Sequence, residues 1–440
     1  MAGSSRRSRS AARRAGRGLA AAAALAAAIT LAAGCGPIGT PVPASALLSG
    51  IGSITFATGR VDTGYLTGLI ARWNAAHPRQ RVTLIQLPDD ANDQLSQLVT
   101  NLQARSDVYD VMNLDVIWTA QFAANGWIVP IDRRLIPLGG FLPPAVATAS
   151  YDGRLYAVPF TSNAGLLYYR KDILARAGVR PPATWARLAY LARTVAPRYG
   201  LQGYGSQFAD YEGLTVNFDE AVQSAGGSIV SAGGTRAAVD SPQARAALSF
   251  LVGGFRLGWI PRAALGWDEE ASRRAFEEGR LLFLRNWPYV YGEASTPGPG
   301  NKVAGKFGVT YLPGRSGPGS STLGGANLAI SAFSRHQRTA LAFIRYLTSL
   351  RSERWVLTDG SLPPVWTRLY RDPALIRRFP YLPVLERAIL SARPRPEVAD
   401  YSQLSLAISS AVHQALMQRK PVGATLAGLA RELNRIIGSG

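Results

Sequence analysis

From Ser53 to Ala57 apolar and polar positions alternate, the period of a half-buried strand, and the chain then turns through Thr58, Gly59, Arg60, Val61 and Asp62. Over 63–76 the period lengthens: Leu66, Leu69, Ile70 and Trp73 recur at helical spacing until Pro78 ends the pattern. A second strand is expected over 81–87. A second helix over 93–105 carries Leu95, Leu98, Val99 and Leu102 on one face, and a third strand covers 109–114. Strand, helix, strand, helix, strand predicts a parallel sheet with helical crossovers. Ligands of such sheets collect beyond the carboxyl ends of the strands, where Asp115 stands.

The pattern continues as an α/β chain. A short helix over 119–124 precedes two strand-like runs between Leu155 and Arg170, separated by a polar elbow that carries Asn163. Helices are expected around 181–200, 217–224 and 242–257. A helix beginning at Glu269 leads into the apolar run Leu281–Leu284 and then into Asn286-Trp287-Pro288-Tyr289-Val290-Tyr291. Strands over 306–313 and 323–330 follow, the second opening on Gly324 and Gly325. Next come a helix over 336–350 and a helical tail broken at Arg393-Pro394-Arg395-Pro396.

The run around Trp287 carries the most distinctive chemistry. An indole with a phenol two residues on, emerging from a strand end, can stack on the apolar face of a sugar ring while nearby polar groups take its hydroxyls. The competing reading is that Trp287 is a core residue, since large aromatics are mostly buried for packing.

Composition narrows the field. The 440 residues exceed one ordinary core and imply two or three domains, and 47% hydrophobic with 17% charged residues is globular. The net charge of +20 falls to +14 without residues 1–34, which hold six Arg and no acid. The remaining basic residues are scattered rather than gathered into a phosphate-binding run, so no nucleic-acid partner is expected. His77, His336 and His413 lack metal spacing and no Walker-type loop is present, so no metal or other cofactor is expected and any ATP hydrolysis belongs to another subunit.

The Arg-rich start leads into a short Ala/Leu run that ends Leu31-Ala32-Ala33-Gly34-Cys35, the pattern of a cleaved export signal. It resembles the bacterial lipobox, which implies a leader over 1–34, lipid on Cys35 and a tether over 35–50. Cys35 is the single cysteine, so an intrachain disulfide is ruled out.

Five stretches in register resemble the maltose-type family of extracellular solute-binding proteins that serve ATP-driven sugar importers. They are YDVMNLDVIWTAQFAANGWIVPID, YAVPFTSNAGLLYYRKDIL, FEEGRLLFLRNWPY, LGGANLAISAFS and PRPEVADYSQLS. The opening ITFATGRVDTGYLTGLIARWNAAHP is similar to the trehalose-binding lipoproteins of actinobacteria. The resemblance implies a two-lobe periplasmic-binding-protein fold, each lobe a mixed sheet flanked by helices. One lobe is expected from 51–158 and 327–372 and the other from 159–326 and 373–440, with crossovers near Pro159, at 324–326 and near Asp372. It also implies an exported monomer held to the outer face of the membrane. That monomer would pass a disaccharide, trehalose first and maltose-type sugars next, to a permease with a separate ATPase.

By the same resemblance Asp115, Asn163, Glu269, Trp287, Tyr289, Gly325, Arg395 and Tyr401 contact the sugar, with Asp93 and Asp62 as further contacts. Most have a plainer reading: helix capping for Asp115, Asp93, Asp62 and Glu269, turn formation for Asn163, and surface pairing for Arg395 and Tyr401. Glu270 competes with Glu269 for the same role. Many relatives follow Gly325 with tryptophan, and Ala326 here removes one stacking surface, which suits a short sugar. The alternative from another class is an exported glycosidase using Asp115 and Glu269 as paired carboxylates.

Overall fold

The computed structural model describes residues 48–59, 63–396, 398 and 400–439. The leader, Cys35, most of the tether and Asp62 lie outside these residues.

Eleven strands are described: β1 (Ile54–Gly59), β2 (Val82–Leu87), β3 (Val111–Asp115), β4 (Ser150–Tyr151), β5 (Arg154–Leu155), β6 (Ala157–Ala164), β7 (Leu166–Arg170), β8 (Gln202–Gly205), β9 (Leu281–Asn286), β10 (Phe307–Thr310) and β11 (Leu323–Ile330). They form a five-stranded sheet in the order β2-β1-β3-β11-β6, a four-stranded sheet in the order β10-β7-β9-β8, and the hairpin β4-β5. In the first sheet β1 is parallel to both β2 and β3, as the strand-helix alternation predicts, and β11 returns antiparallel between β3 and β6. The helix Thr63–Ala76 forms where expected, because Leu66, Leu69, Ile70 and Trp73 are all buried against this sheet.

Two helices start earlier than expected, each for a physical reason. The second helix is Ala91–Gln103, beginning earlier than its apolar stripe suggests because Asp90 accepts the amides of Asn92 and Asp93 as its N-cap. Asp93 therefore sits in the first turn and is not the cap. A helix expected from 217 begins at Glu212, five residues sooner. Residues Glu212 to Gln223 are all buried, and a helix enclosed on every side has no polar face to generate a period.

The passages between the two sheets are also displaced. β6 remains in the first sheet as far as Ala164, paired to Leu323 of β11, so the chain crosses at Gly165 and just before Leu323. The helix Leu382–Ser391 still packs on β6, whereas Tyr401–Leu416 packs on Glu212–Ser224. The third passage therefore falls between the end of one helix at Ser391 and the start of the next at Tyr401, not near Asp372. It runs beside the second: the Arg393 amide donates to Ser321 O at 3.0 Å and the Leu323 amide donates to Arg393 O at 2.7 Å.

Within the core of the first sheet's flank, Glu353 on the helix Leu350–Gly360 is fully buried. Its Oε2 accepts the Val365 amide at 3.0 Å and its Oε1 has no hydrogen-bond partner among the described residues. Burial pushes this carboxyl well above the usual carboxylate range. An unfolded chain sheds this proton above pH 4.5 while the folded one keeps it, so the group lowers stability progressively as pH rises from there toward its folded value. Glu353→Gln should remove the decline. Urea unfolding from pH 4 to 8 should show the variant gaining on the parent as pH rises above 4.5, by at most about 1.4 kcal/mol per pH unit and only until the folded carboxyl itself titrates.

Candidate ligand-binding site

The residues singled out around Trp287 meet at a cleft between the two sheets. β9 ends at Asn286, so Trp287 and Tyr289 leave the carboxyl end of a strand as the local pattern suggests. Asn286 ties that end to the helix Glu269–Glu277: its Nδ2 donates to Glu269 O at 3.0 Å and its Oδ1 accepts the Trp287 amide at 2.7 Å. The Tyr168 hydroxyl fixes the next peptide by donating to Trp287 O at 2.8 Å.

Asp115, Asn163, Glu269, Trp287, Tyr289 and Gly325 all line one cleft, whose empty space with its mouth included is about 1070 Å³. Asp115, Asn163 and Gly325 come from the strands of the first sheet, whereas Glu269 begins the helix packed on β9 and Trp287 and Tyr289 follow the end of β9 in the second. Trp287 is half-buried, not core. Its Nε1 donates to Glu269 Oε1 at 3.3 Å, and the Tyr211 hydroxyl donates to Glu269 Oε2. Burial pushes the Glu269 carboxyl up, against the hydrogen bonds that favour its charge. Glu270 lines the cleft as well. It accepts the Tyr289 hydroxyl at 2.7 Å and pairs with Arg273 at 2.6 Å, so its charge is already engaged.

The Oδ1 of Asn163 is buried with no hydrogen-bond partner among the described residues, although the residue faces the cleft. A buried acceptor left open is costly unless something fills it. Opposite it in the ladder Gly324 lies against the indole: a Cβ there would sit 2.9 Å from Trp287 Cζ3. Gly325 has φ of 123°, and a Cβ would come within 2.2 Å of Thr161 O, so a side chain is barred on both counts. Ala326, paired with Asp115, also lines the cleft, where a bulkier residue would project a ring into it.

Arg395 and Tyr401, expected at the ligand, stand behind this wall and do not line the cleft. Arg395 donates to the Asp115 carboxylate through both terminal nitrogens, with Nη1 at 3.2 Å, and Nη1 also reaches Glu212 Oε1 at 2.9 Å. The Tyr401 hydroxyl donates to the same Glu212 oxygen at 2.7 Å and Ser405 Oγ to the other. Two carboxylates thus share one guanidinium that is 3% exposed. Burial opposes the Arg395 charge, but Asp115 and Glu212 more than offset this and raise its pKa. Burial, with Asp115 nearby, pushes the Glu212 carboxyl up. Arg395 therefore joins a strand end of the first sheet to a helix of the second and holds Asp115 in place. Asp93 is exposed and lines a separate surface hollow with Ser96, Gln97 and Tyr109.

The sequence reading missed Tyr211, Trp118 and the loop Asp89–Asp90, all of which line the cleft. Tyr211 is the residue before the enclosed helix whose start had no periodic signal. Asp90 was hidden by the late placement of the second helix.

Two sheets joined by three passages, with a cleft whose walls come from both, define a two-lobed binding protein. The family model for bacterial extracellular solute-binding proteins matches residues 59–352. The chain is 32% identical over 372 residues to a probable ABC transporter-binding protein of Deinococcus radiodurans, covering 82% of this chain and 87% of that protein. It is 27% identical over 323 residues to a mannitol-binding protein of Pseudomonas aeruginosa, covering 69% and 70%. Among solved structures, maltose-bound MalE3 of T. maritima is similar with a TM-score of 0.84 and 33% identity, over 87% of this chain and 99% of that one. The chain belongs to the bacterial extracellular solute-binding proteins. These bind solutes for ABC transporters and are not enzymes, which sets aside the paired-carboxylate glycosidase.

Proposed function

We propose that this protein is a lipid-anchored receptor, tethered through Cys35, that captures a disaccharide between its lobes and delivers it to an ABC permease. Trehalose is the first choice of ligand and maltose-type sugars the next. The observation that carries this reading is the pairing of a half-buried indole with carboxylates and an unfilled amide oxygen on the facing wall. Such a wall stacks the apolar face of a pyranose while acceptors take its hydroxyls, and an analogue lacking one hydroxyl leaves a buried partner unpaired at about 1–3 kcal/mol. Ala326 leaves room on the first-sheet side, and the bounded cleft favours a short sugar over a long maltodextrin. Binding to both walls would draw the lobes together about the three passages.

Calorimetric titration against trehalose, maltose, maltotriose and mannitol tests the reading. The expected result is tightest binding to a disaccharide, with no glucose released on prolonged incubation. A preference for mannitol or for maltotriose would overturn the ligand assignment.

A further inference from the structure

Beneath the indole lies a buried ion pair that no part of the reading above uses. Arg285 is 1% exposed on β9, two residues before Trp287, and its guanidinium carbon stands 4.2 Å from the centroid of that ring. Its Nε and Nη2 grip the Glu220 carboxylate at 2.7 and 2.6 Å, and its Nη1 donates to Gln207 Oε1 at 2.8 Å. Gln207 continues the chain of contacts by donating from Nε2 to Ser272 Oγ at 2.8 Å, on the helix that carries Glu269. Every terminal nitrogen of Arg285 is thus committed, which leaves the plane of the guanidinium as a fixed floor for the indole.

Glu220 faces the other way, toward the passages between lobes. Its Oε1 accepts from Ser321 Oγ at 3.1 Å and from the Thr322 amide at 3.3 Å, immediately before β11. Ser321 Oγ in turn accepts the Gly165 amide at 2.5 Å, at the first crossing, and Ser321 O accepts the Arg393 amide at the third. Gly165 has no room for a side chain, since a Cβ would meet Glu220 Oε1 at 2.4 Å and Arg285 Nη2 at 2.7 Å. The second crossing thus bonds Glu220 directly, the first and third reach it through Ser321, and the stacking ring rests on the guanidinium that Glu220 holds.

We propose that the Glu220–Arg285 pair positions Trp287 by registering the indole to the hinge, so that the ring takes its stacking pose only with the crossings correctly seated. Arg285 and Glu220 are positioning residues that touch no ligand. The proposal rests on Trp287 being the stacking surface. A buried pair is weak evidence of stability on its own. Here, though, a rigid donor fork is bonded to the hinge on one side while its flat face supports the ring on the other.

The test follows Trp287 directly. Protein labelled with 5-fluorotryptophan gives a ¹⁹F resonance for Trp287, assigned by its loss in Trp287→Phe, and trehalose and maltose are titrated by calorimetry. Arg285→Met should shift or broaden the Trp287 resonance and weaken disaccharide binding by at least about tenfold. Ser321→Ala removes a hydroxyl at the hinge that contacts neither the ring nor the cleft. It should move the same resonance and weaken binding by about threefold or more. Arg285→Lys, which keeps charge without the fork, should recover only part of the affinity. If Arg285→Met does not fold, Ser321→Ala and Glu220→Gln decide by the same two readings. An unmoved Trp287 resonance with affinity within about twofold in the folded variants would overturn the proposal. If Trp287→Ala itself leaves disaccharide binding intact, the stacking surface is wrong, and that result is separate from a failure of the pair.

Discussion

Replacing Trp287 by alanine should weaken binding of the proposed disaccharide by at least about 30-fold, the loss of roughly 2 kcal/mol typical of a central aromatic anchor. The thermal midpoint should move by only a few degrees. The ring supplies a large apolar face to the cleft, and its Nε1 bond to Glu269 at 3.3 Å orders a carboxylate that lines the same cleft. Removing it takes away stacking area and loosens that acceptor together. Little of the fold goes with it, because the strand end is held by Asn286 and by the Tyr168 hydroxyl on the Trp287 backbone. Calorimetric titration and a melting curve on the same preparation check both halves. A collapse of folding would return Trp287 to the core, and an unchanged affinity would remove it from the site.

Arg395→Leu has the largest expected effect on stability. The substitution leaves Asp115 and Glu212 facing each other across the space the guanidinium filled, with Glu212 fully enclosed. Breaking a buried ion pair by removing one partner costs about 3–5 kcal/mol, far beyond a surface pair. Urea unfolding should show that loss. Removing the opposing charge in Asp115→Asn or Glu212→Gln should reduce the further cost of Arg395→Leu, a coupling that a double-mutant cycle measures. Additive effects would show that Arg395 does not bridge the two carboxylates. Because Asp115 is the member of this cluster that lines the cleft, the single variant should also lose affinity for the ligand.

Several elements were legible from local pattern. The helix Thr63–Ala76 could be read because one face is buried and the other wet, and the parallel β1-β2-β3 unit follows from alternating periods. The strand that delivers Trp287 was legible from four consecutive apolar residues before a Pro-containing turn. The start of Glu212–Ser224 was not, because uniform burial erases the amphipathic signal, and with it went Tyr211 and Glu212. Nor could the third crossing be placed, since helices on either side of residues 392–400 have similar apolar stripes and differ only in the sheet they cover.

The order of residues by itself determined an α/β chain with a leader-like start, aromatic groups at a strand end, and acids where strands finish, because each of these is written in spacing of a few residues. Only the tertiary structure decided which of those groups share a cleft. Arg395 and Asp115 lie 280 positions apart yet form one ion pair. Glu270 is spent on Arg273 and Tyr289 while its neighbour Glu269 holds the indole. Those outcomes depend on where three crossings bring two sheets together, and contacts between residues so distant in the chain leave no periodic trace for a local reading to find.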